Sequence, residues 1–107
     1  MPIYNKLVRD KIPKIIESTG KKFSVIQLDK EQYIKELKKK RLEELDEYDN
    51  AANNEEALEE LADLLEVLSA LAATHGSSLE EIEKIRQEKA ATRGGFQEKI
   101  FLIEVED

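Results

Sequence analysis

The chain has 107 residues, of which 24 are acidic and 17 basic, and its formal net charge is −7 at pH 7. This balance argues against a general nucleic-acid or anionic-membrane binder, although metal ions could still bring an anionic nucleotide to an acidic site. With no cysteine, the sequence offers neither a disulfide framework nor a thiolate nucleophile. We expect a single domain over residues 1–107. No segment reaches transmembrane length and no apolar signal region opens the chain, so we predict a cytoplasmic protein.

The first part of the chain is predicted to form a short helix and then a short strand. Asp10 can cap the helix, Pro13 lies near its start, and Gly20 ends it. The segment from Phe23 to Leu28 reads as a strand because apolar and polar residues roughly alternate along it.

Two long helices are predicted to form an antiparallel hairpin in the middle of the chain. Asp29 with Gln32 resembles a capping box and opens the first helix, which runs to about Ala51. The second helix runs from about Glu55 to Thr74, with Asn53 as its cap. Leu and Ala residues spaced three and four apart give this second helix an apolar face.

A fourth helix and a second strand are predicted to complete the fold. Ser78 with Glu81 resembles a capping box and opens a helix to about Ala91. The two glycines of Arg93–Phe96 indicate a turn, and Lys99–Val105 reads as a strand that could pair with the first one. The predicted fold is therefore mainly α, an antiparallel bundle of about four helices with a short two-stranded β element. Its apolar surface is wide for so small a chain, so we expect an oligomer.

Four acidic side chains on the central hairpin have a spacing that brings them together. Glu44 and Glu47 belong to the first long helix, and Glu60 and Asp63 belong to the second. Residues three apart share one helix face. With the turn at Asn53-Asn54, each acid on one helix faces an acid at the same height on the other. Four carboxylates around one small volume favour Mg²⁺, or Mn²⁺, because these hard ions prefer carboxylate and water oxygens.

A plain acidic helix surface is the competing interpretation, because acids three residues apart arise easily in a chain so rich in them. The helical positions of Glu60 and Asp63 argue against it. Both fall beside Val67 and Leu71, at the margin of the apolar face. Unpaired charge beside a buried face is costly, and a metal ion would remove that cost.

Three motifs follow one another along the chain. An opening motif spans Tyr4–Pro13, and a closing motif joins Glu88-Lys89 to Arg93-Gly-Gly-Phe96. Between them lie the acids, as Glu43-Glu44-x-x-Glu47, twelve residues, and Glu60-x-x-Asp63. Together these motifs resemble the MazG-like all-α nucleoside triphosphate pyrophosphohydrolases, a superfamily that includes phosphoribosyl-ATP pyrophosphohydrolase and the all-α dUTPases. The opening and closing motifs resemble a small house-cleaning subgroup of that superfamily.

The resemblance implies a Mg²⁺-dependent hydrolase that cleaves a canonical or noncanonical nucleoside triphosphate between the α and β phosphates. The products would be the monophosphate and pyrophosphate, and the base and sugar stay open. The resemblance also implies a homodimer or homotetramer, with no nucleic-acid polymer and no membrane as partner. The implied metal ligands are Glu44, Glu47, Glu60 and Asp63. A catalytically silent helical dimerisation or nucleotide-sensing module is the alternative, although the intact set of acids argues against it.

Further side chains could complete such a site. Glu43 adjoins the first acid pair and is a candidate general base, with an ordinary solvated acid as the competing interpretation. Phosphate could be bound by two pairs of basic residues, which would otherwise pair with surface acids: Lys6 and Arg9 in the opening motif, and Lys89 and Arg93 in the closing one. The basic run Lys38–Arg41 is interpreted as a solvated helix face.

Overall fold

The computed structural model describes residues 2–107 and places four helices among them. They are α1 (Ile12–Ser18), α2 (Lys30–Asp49), α3 (Asn54–Thr74) and α4 (Leu79–Arg93). The helices α2 and α3 pack along each other as a hairpin, and α3 also contacts α4. Within the described residues α1 packs against no other helix. No helix in this part of the chain is both long and apolar enough to cross a membrane.

Three of the four helix starts follow the capping chemistry expected from the sequence. In each case the side chain before the helix accepts a hydrogen bond from a backbone N–H in the first turn, which would otherwise lack a partner. The bonds are Gln32 N to Asp29 Oδ1 (2.8 Å), Glu56 N to Asn53 Oδ1 (2.8 Å) and Glu81 N to Ser78 Oγ (3.2 Å). The predicted cap at Asp10 is wrong, because α1 begins after Lys11, which makes no capping bond with its side chain.

The turn of the hairpin lies earlier in the chain than the sequence suggested. It comprises residues 50–53 rather than Asn53-Asn54, and Asn54 already belongs to α3. Asn50 ends α2, where its Nδ2 donates to the carbonyl oxygen of Asp46 at 2.8 Å.

The predicted two-stranded β element is wrong, because the structure has no strand in residues 2–107 and the fold is all-α. Neither residues 23–28 nor residues 99–105 form a backbone ladder, and their apolar side chains remain open, with Ile26 83% and Ile103 87% exposed. Apolar and β-branched residues give a segment the propensity to form a strand, but this propensity does not make the strand stable. A stable strand also needs a paired neighbour and a covering layer, which neither segment has here.

Few apolar side chains are buried within this chain. Among the described residues, the buried apolar side chains are those of Leu37, Val67 and Ala72. Four of the six leucines of α3 are between 37% and 66% exposed: Leu58, Leu61, Leu65 and Leu68. We call these four residues the α3 leucine stripe. Such a continuous apolar surface exceeds what a single helix normally leaves open to water.

Candidate metal centre

Three carboxylates from the two helices of the hairpin meet at one point. Glu44 and Glu47 of α2 and Glu60 of α3 each offer an oxygen atom, and these three atoms lie within 4.8 Å of one another. The local cause is helical periodicity, since Glu44 and Glu47 are three residues apart and point from one face of α2. We call these three residues the carboxylate cluster.

Asp63 lies three residues after Glu60 on α3, about one turn further from the loop. Its carboxylate is not among the three whose oxygens lie within 4.8 Å of one another, but its charge raises the pKa values of Glu44 and Glu60. The pairing of Glu47 with Glu60 and of Glu44 with Asp63 stays a prediction.

Burial distinguishes this cluster from an ordinary acidic surface. Glu44 is only 6% exposed, and Glu60 is partly buried. One oxygen of each, Oε2 in both cases, is buried and has no hydrogen-bond partner. A buried polar atom without a partner costs roughly 1–3 kcal/mol, and more when it is charged. A set of oxygen donors with two such atoms fits a hard divalent cation such as Mg²⁺ or Mn²⁺.

The protonation of the cluster reflects the same crowding. Burial raises the pKa of Glu44 to about 7, and the neighbouring carboxylate of Glu47 and the charge of Asp63 add to this effect. The pKa of Glu60 is also raised, first by the hydrogen bond that protonated Glu60 can make to Glu47 and then by burial. Without a metal ion the cluster therefore tends to bind a proton, because protonation relieves the repulsion between its buried carboxylates.

Asp63 is held by a basic residue from the opening motif. Its Oδ1 accepts a hydrogen bond from Nη2 of Arg9 at 2.7 Å, and both side chains are partly open to solvent. Asp63 nevertheless remains near enough for its charge to raise the pKa values of Glu44 and Glu60. Arg9 therefore contacts an acid of the predicted site, as in the competing interpretation, and its contact with phosphate stays a prediction.

Glu43 is paired in the same way. Its Oε1 accepts from Nζ of Lys6 at 3.0 Å, and Nζ of Lys40 lies 3.8 Å from its other oxygen. The hydrogen bond from Lys6 lowers the pKa of Glu43, and in turn Glu43 raises the pKa of Lys6. Sequence reasoning missed Lys40, which was assigned to a solvated face. Its spacing of three residues from Glu43 was the signal that could have found it.

The closing motif does not reach the acids within one chain. The helix α4 continues to Arg93, so Lys89 and Arg93 are four residues apart on the same helix. Both side chains are exposed, and within residues 2–107 no ion pair joins either of them to an acid. The structure therefore brings together Lys6, Arg9 and the acids, and leaves Lys89 and Arg93 apart.

Comparison with known proteins gives one match. A family model described as phosphoribosyl-ATP pyrophosphohydrolase matches residues 10–90. The matched segment contains the carboxylate cluster, Glu43 and Asp63, but ends before Arg93 and starts after Arg9. No curated protein and no solved structure gives a significant match.

Proposed function

The chain belongs to the phosphoribosyl-ATP pyrophosphohydrolase family, within the MazG-like all-α superfamily, and we propose that it hydrolyses a nucleoside triphosphate to the monophosphate and pyrophosphate. The family indicates a hydrolase of phosphoanhydride bonds. The observation that supports metal-dependent chemistry best is the pair of buried oxygens without partners in Glu44 and Glu60. We treat residues 1–107 as one pyrophosphohydrolase domain, and the opening and closing motifs support a place in the house-cleaning subgroup.

We assign Mg²⁺, with Mn²⁺ as a substitute, to Glu44, Glu47, Glu60 and Asp63. When bound, such an ion neutralises charge on phosphate oxygens and makes water more acidic. The first three ligands already converge in the carboxylate cluster, while Asp63 stands one turn away along α3. All four supply oxygen, which suits these ions better than zinc or copper.

The remaining residues of the site divide between proton transfer and phosphate binding. Glu43 adjoins the ligands and is kept ionised by Lys6. We assign it the role of accepting a proton from the attacking water. Its basicity increases when Lys6 moves from the carboxylate to a phosphate, because the ion pair that lowers its pKa is then lost. Arg9 and Lys6 bind the phosphates, where the planar guanidinium of Arg9 can contact two oxygens at once.

We further propose a homodimer or homotetramer in which a second copy covers the α3 leucine stripe. With this stripe exposed, a single copy buries too little apolar surface to be stable. In such an assembly Lys89 and Arg93 contribute phosphate contacts to the site of the neighbouring copy, since neither contacts the acids of its own chain.

Substitution of Arg93 tests this shared site. Arg93→Ala is expected to lower kcat/KM about 10- to 100-fold, the loss that follows removal of one charged hydrogen bond. Arg93→Ala and Glu60→Gln should each be impaired when assayed alone, so the mixed sample is compared with the sum of the two separate activities. When the two are unfolded together and refolded as mixed oligomers, some sites combine an intact Glu60 with a neighbour's intact Arg93, and activity should return. Mixed oligomers without any recovery would contradict the shared site.

The proposed activity is tested with a nucleotide panel in the presence and absence of Mg²⁺. The panel should include phosphoribosyl-ATP, canonical nucleoside triphosphates and noncanonical ones, with the products separated by chromatography. Metal-dependent release of monophosphate and pyrophosphate is the expected result. Diphosphate with orthophosphate would mean cleavage of a different bond. Metal binding without turnover of any substrate would favour a catalytically silent nucleotide-sensing or dimerisation module.

A further inference from the structure

We propose that Arg9 and the metal ion compete for Asp63, so that metal binding shifts Arg9 from Asp63 towards the substrate phosphate. This inference rests on the proposed function, because it takes Asp63 as a metal ligand. It adds an order of events that neither the family nor the motif specifies. Arg9 acts here as a positioning residue for Asp63 before it acts on the substrate.

The first observation is that Asp63 alone among the four assigned ligands lies outside the carboxylate cluster. It is also the one with an ion-pair partner, since Nη2 of Arg9 lies 2.7 Å from its Oδ1. In contrast, the buried oxygens of Glu44 and Glu60 have no partner. Three ligands are thus available to a metal ion, whereas the fourth is occupied.

The second observation is that the Arg9–Asp63 pair can exchange at low cost. The side chains are 58% and 43% exposed, and a single nitrogen–oxygen contact joins them. Exposed pairs of this kind contribute only ~0.2–1 kcal/mol. Arg9 also precedes α1, which packs against no other helix, so its displacement disturbs no helix–helix contact among the described residues. A divalent ion that satisfies the buried oxygens therefore outcompetes Arg9 for Asp63.

Once Asp63 binds a metal ion, the guanidinium of Arg9 needs another hydrogen-bond acceptor. The carboxylate oxygen that accepts the hydrogen bond of Arg9 in this structure is then occupied, and the guanidinium loses that partner. The phosphates of a nucleotide then become its strongest available acceptor. Metal binding and phosphate binding are coupled through Arg9, and coupling of this kind is reciprocal.

Titration of Mn²⁺ into the nucleotide-free protein by calorimetry tests the competition directly. Arg9→Gln is expected to bind Mn²⁺ about two- to fivefold more tightly than the wild type, the gain that corresponds to breaking one exposed ion pair. Lys11→Gln is the matched control. It removes the same charge from the same motif, and Lys11 is exposed and forms no ion pair among the described residues. The gain for Lys11→Gln should be clearly smaller.

A double-mutant cycle separates competition from simple electrostatics. In an Asp63→Asn background, which itself weakens Mn²⁺ binding, Arg9→Gln should give no further gain. Equal gains for Arg9→Gln and Lys11→Gln, or a gain that persists in the Asp63→Asn background, would overturn the competition. Circular dichroism of each variant reports whether the helices are retained. Absence of Mn²⁺ binding in the wild type would contradict the metal-dependent function itself. This result can be told apart from a failure of the competition, in which the wild type still binds Mn²⁺.

Binding of the substrate phosphate by Arg9 can be measured separately from metal binding. At saturating Mg²⁺, Arg9→Gln is expected to raise the KM for the best nucleotide of the panel about tenfold, because the competition is then over and only the phosphate contact is missing. An unchanged KM would show that Arg9 serves Asp63 alone.

Discussion

Glu60→Gln is expected to lower kcat/KM by at least about 100-fold while leaving the helical content unchanged. The amide has nearly the same size as the carboxylate but carries no charge, so one ligand of the carboxylate cluster is lost. Changes around a metal site that leave the ligands in place already cost about 10- to 100-fold, and loss of a ligand should cost more. Steady-state hydrolysis at several Mg²⁺ concentrations measures the effect.

The matched control for this substitution is the adjacent residue on α3. Glu59 is exposed and takes no part in the cluster, so Glu59→Gln makes the same charge change without removing a ligand. Its activity should stay close to that of the wild type. If α2 and α3 formed only an acidic helix pair, Glu60→Gln would be neutral or stabilising even with Mg²⁺ present. Wild-type turnover by Glu60→Gln would show that the site has been assigned wrongly.

In the metal-free protein, the free energy of unfolding is expected to fall as the pH rises from about 5 to 8. The pKa of Glu44 is raised to about 7 in the folded protein from an ordinary value of 4.5, and that of Glu60 is raised as well. Between these values the folded state binds more protons than the unfolded state. The stabilisation is therefore complete below the unfolded pKa and is lost as the pH passes through about 7. For Glu44 it amounts to at most about 3 kcal/mol.

Urea unfolding in EDTA at several pH values measures this dependence. The pKa of Glu43 is lowered, so Glu43 affects stability mainly below pH 5, and the pKa of Lys6 is raised, so Lys6 does so mainly above pH 8. Neither group should therefore mask the change between pH 5 and pH 8. Glu44→Gln should flatten the curve, since it removes the titrating group, and its metal-free form should be at least as stable as the wild type at pH 8. Saturating Mg²⁺ should restore stability at pH 8 because it replaces the proton. A metal-free stability that stays constant from pH 5 to pH 8 would contradict the burial of Glu44.

Local rules explain what the sequence could predict. The helices α2, α3 and α4 each follow a side chain that caps the first turn, and α3 also has a clear helical repeat of apolar residues, so their existence and starts could be predicted. The same periodicity places Glu44 and Glu47 on one face. Which acids converge, and that Asp63 pairs with Arg9, depends instead on how distant segments pack, and this is not encoded in the local pattern.

Contacts between distant segments could not be read from patterns. Arg9 and Asp63 are 54 residues apart, and Lys6 and Glu43 are 37 apart. Motif resemblance marked the basic residues as phosphate ligands, but nothing local indicates which acid each meets. The strands at 23–28 and 99–105 failed for the opposite reason. Their local pattern was present, but strand formation depends on a partner that this fold does not provide.

The hairpin also bears on the order in which the protein assembles. Glu44 and Glu60 are only 16 residues apart in the chain, and a turn of four residues joins their helices. Contacts so close along the chain form early in folding, because the entropy lost in closing the loop is small. The Arg9–Asp63 and Lys6–Glu43 pairs span 54 and 37 residues, so forming the cluster should cost less chain entropy than attaching the opening motif to it.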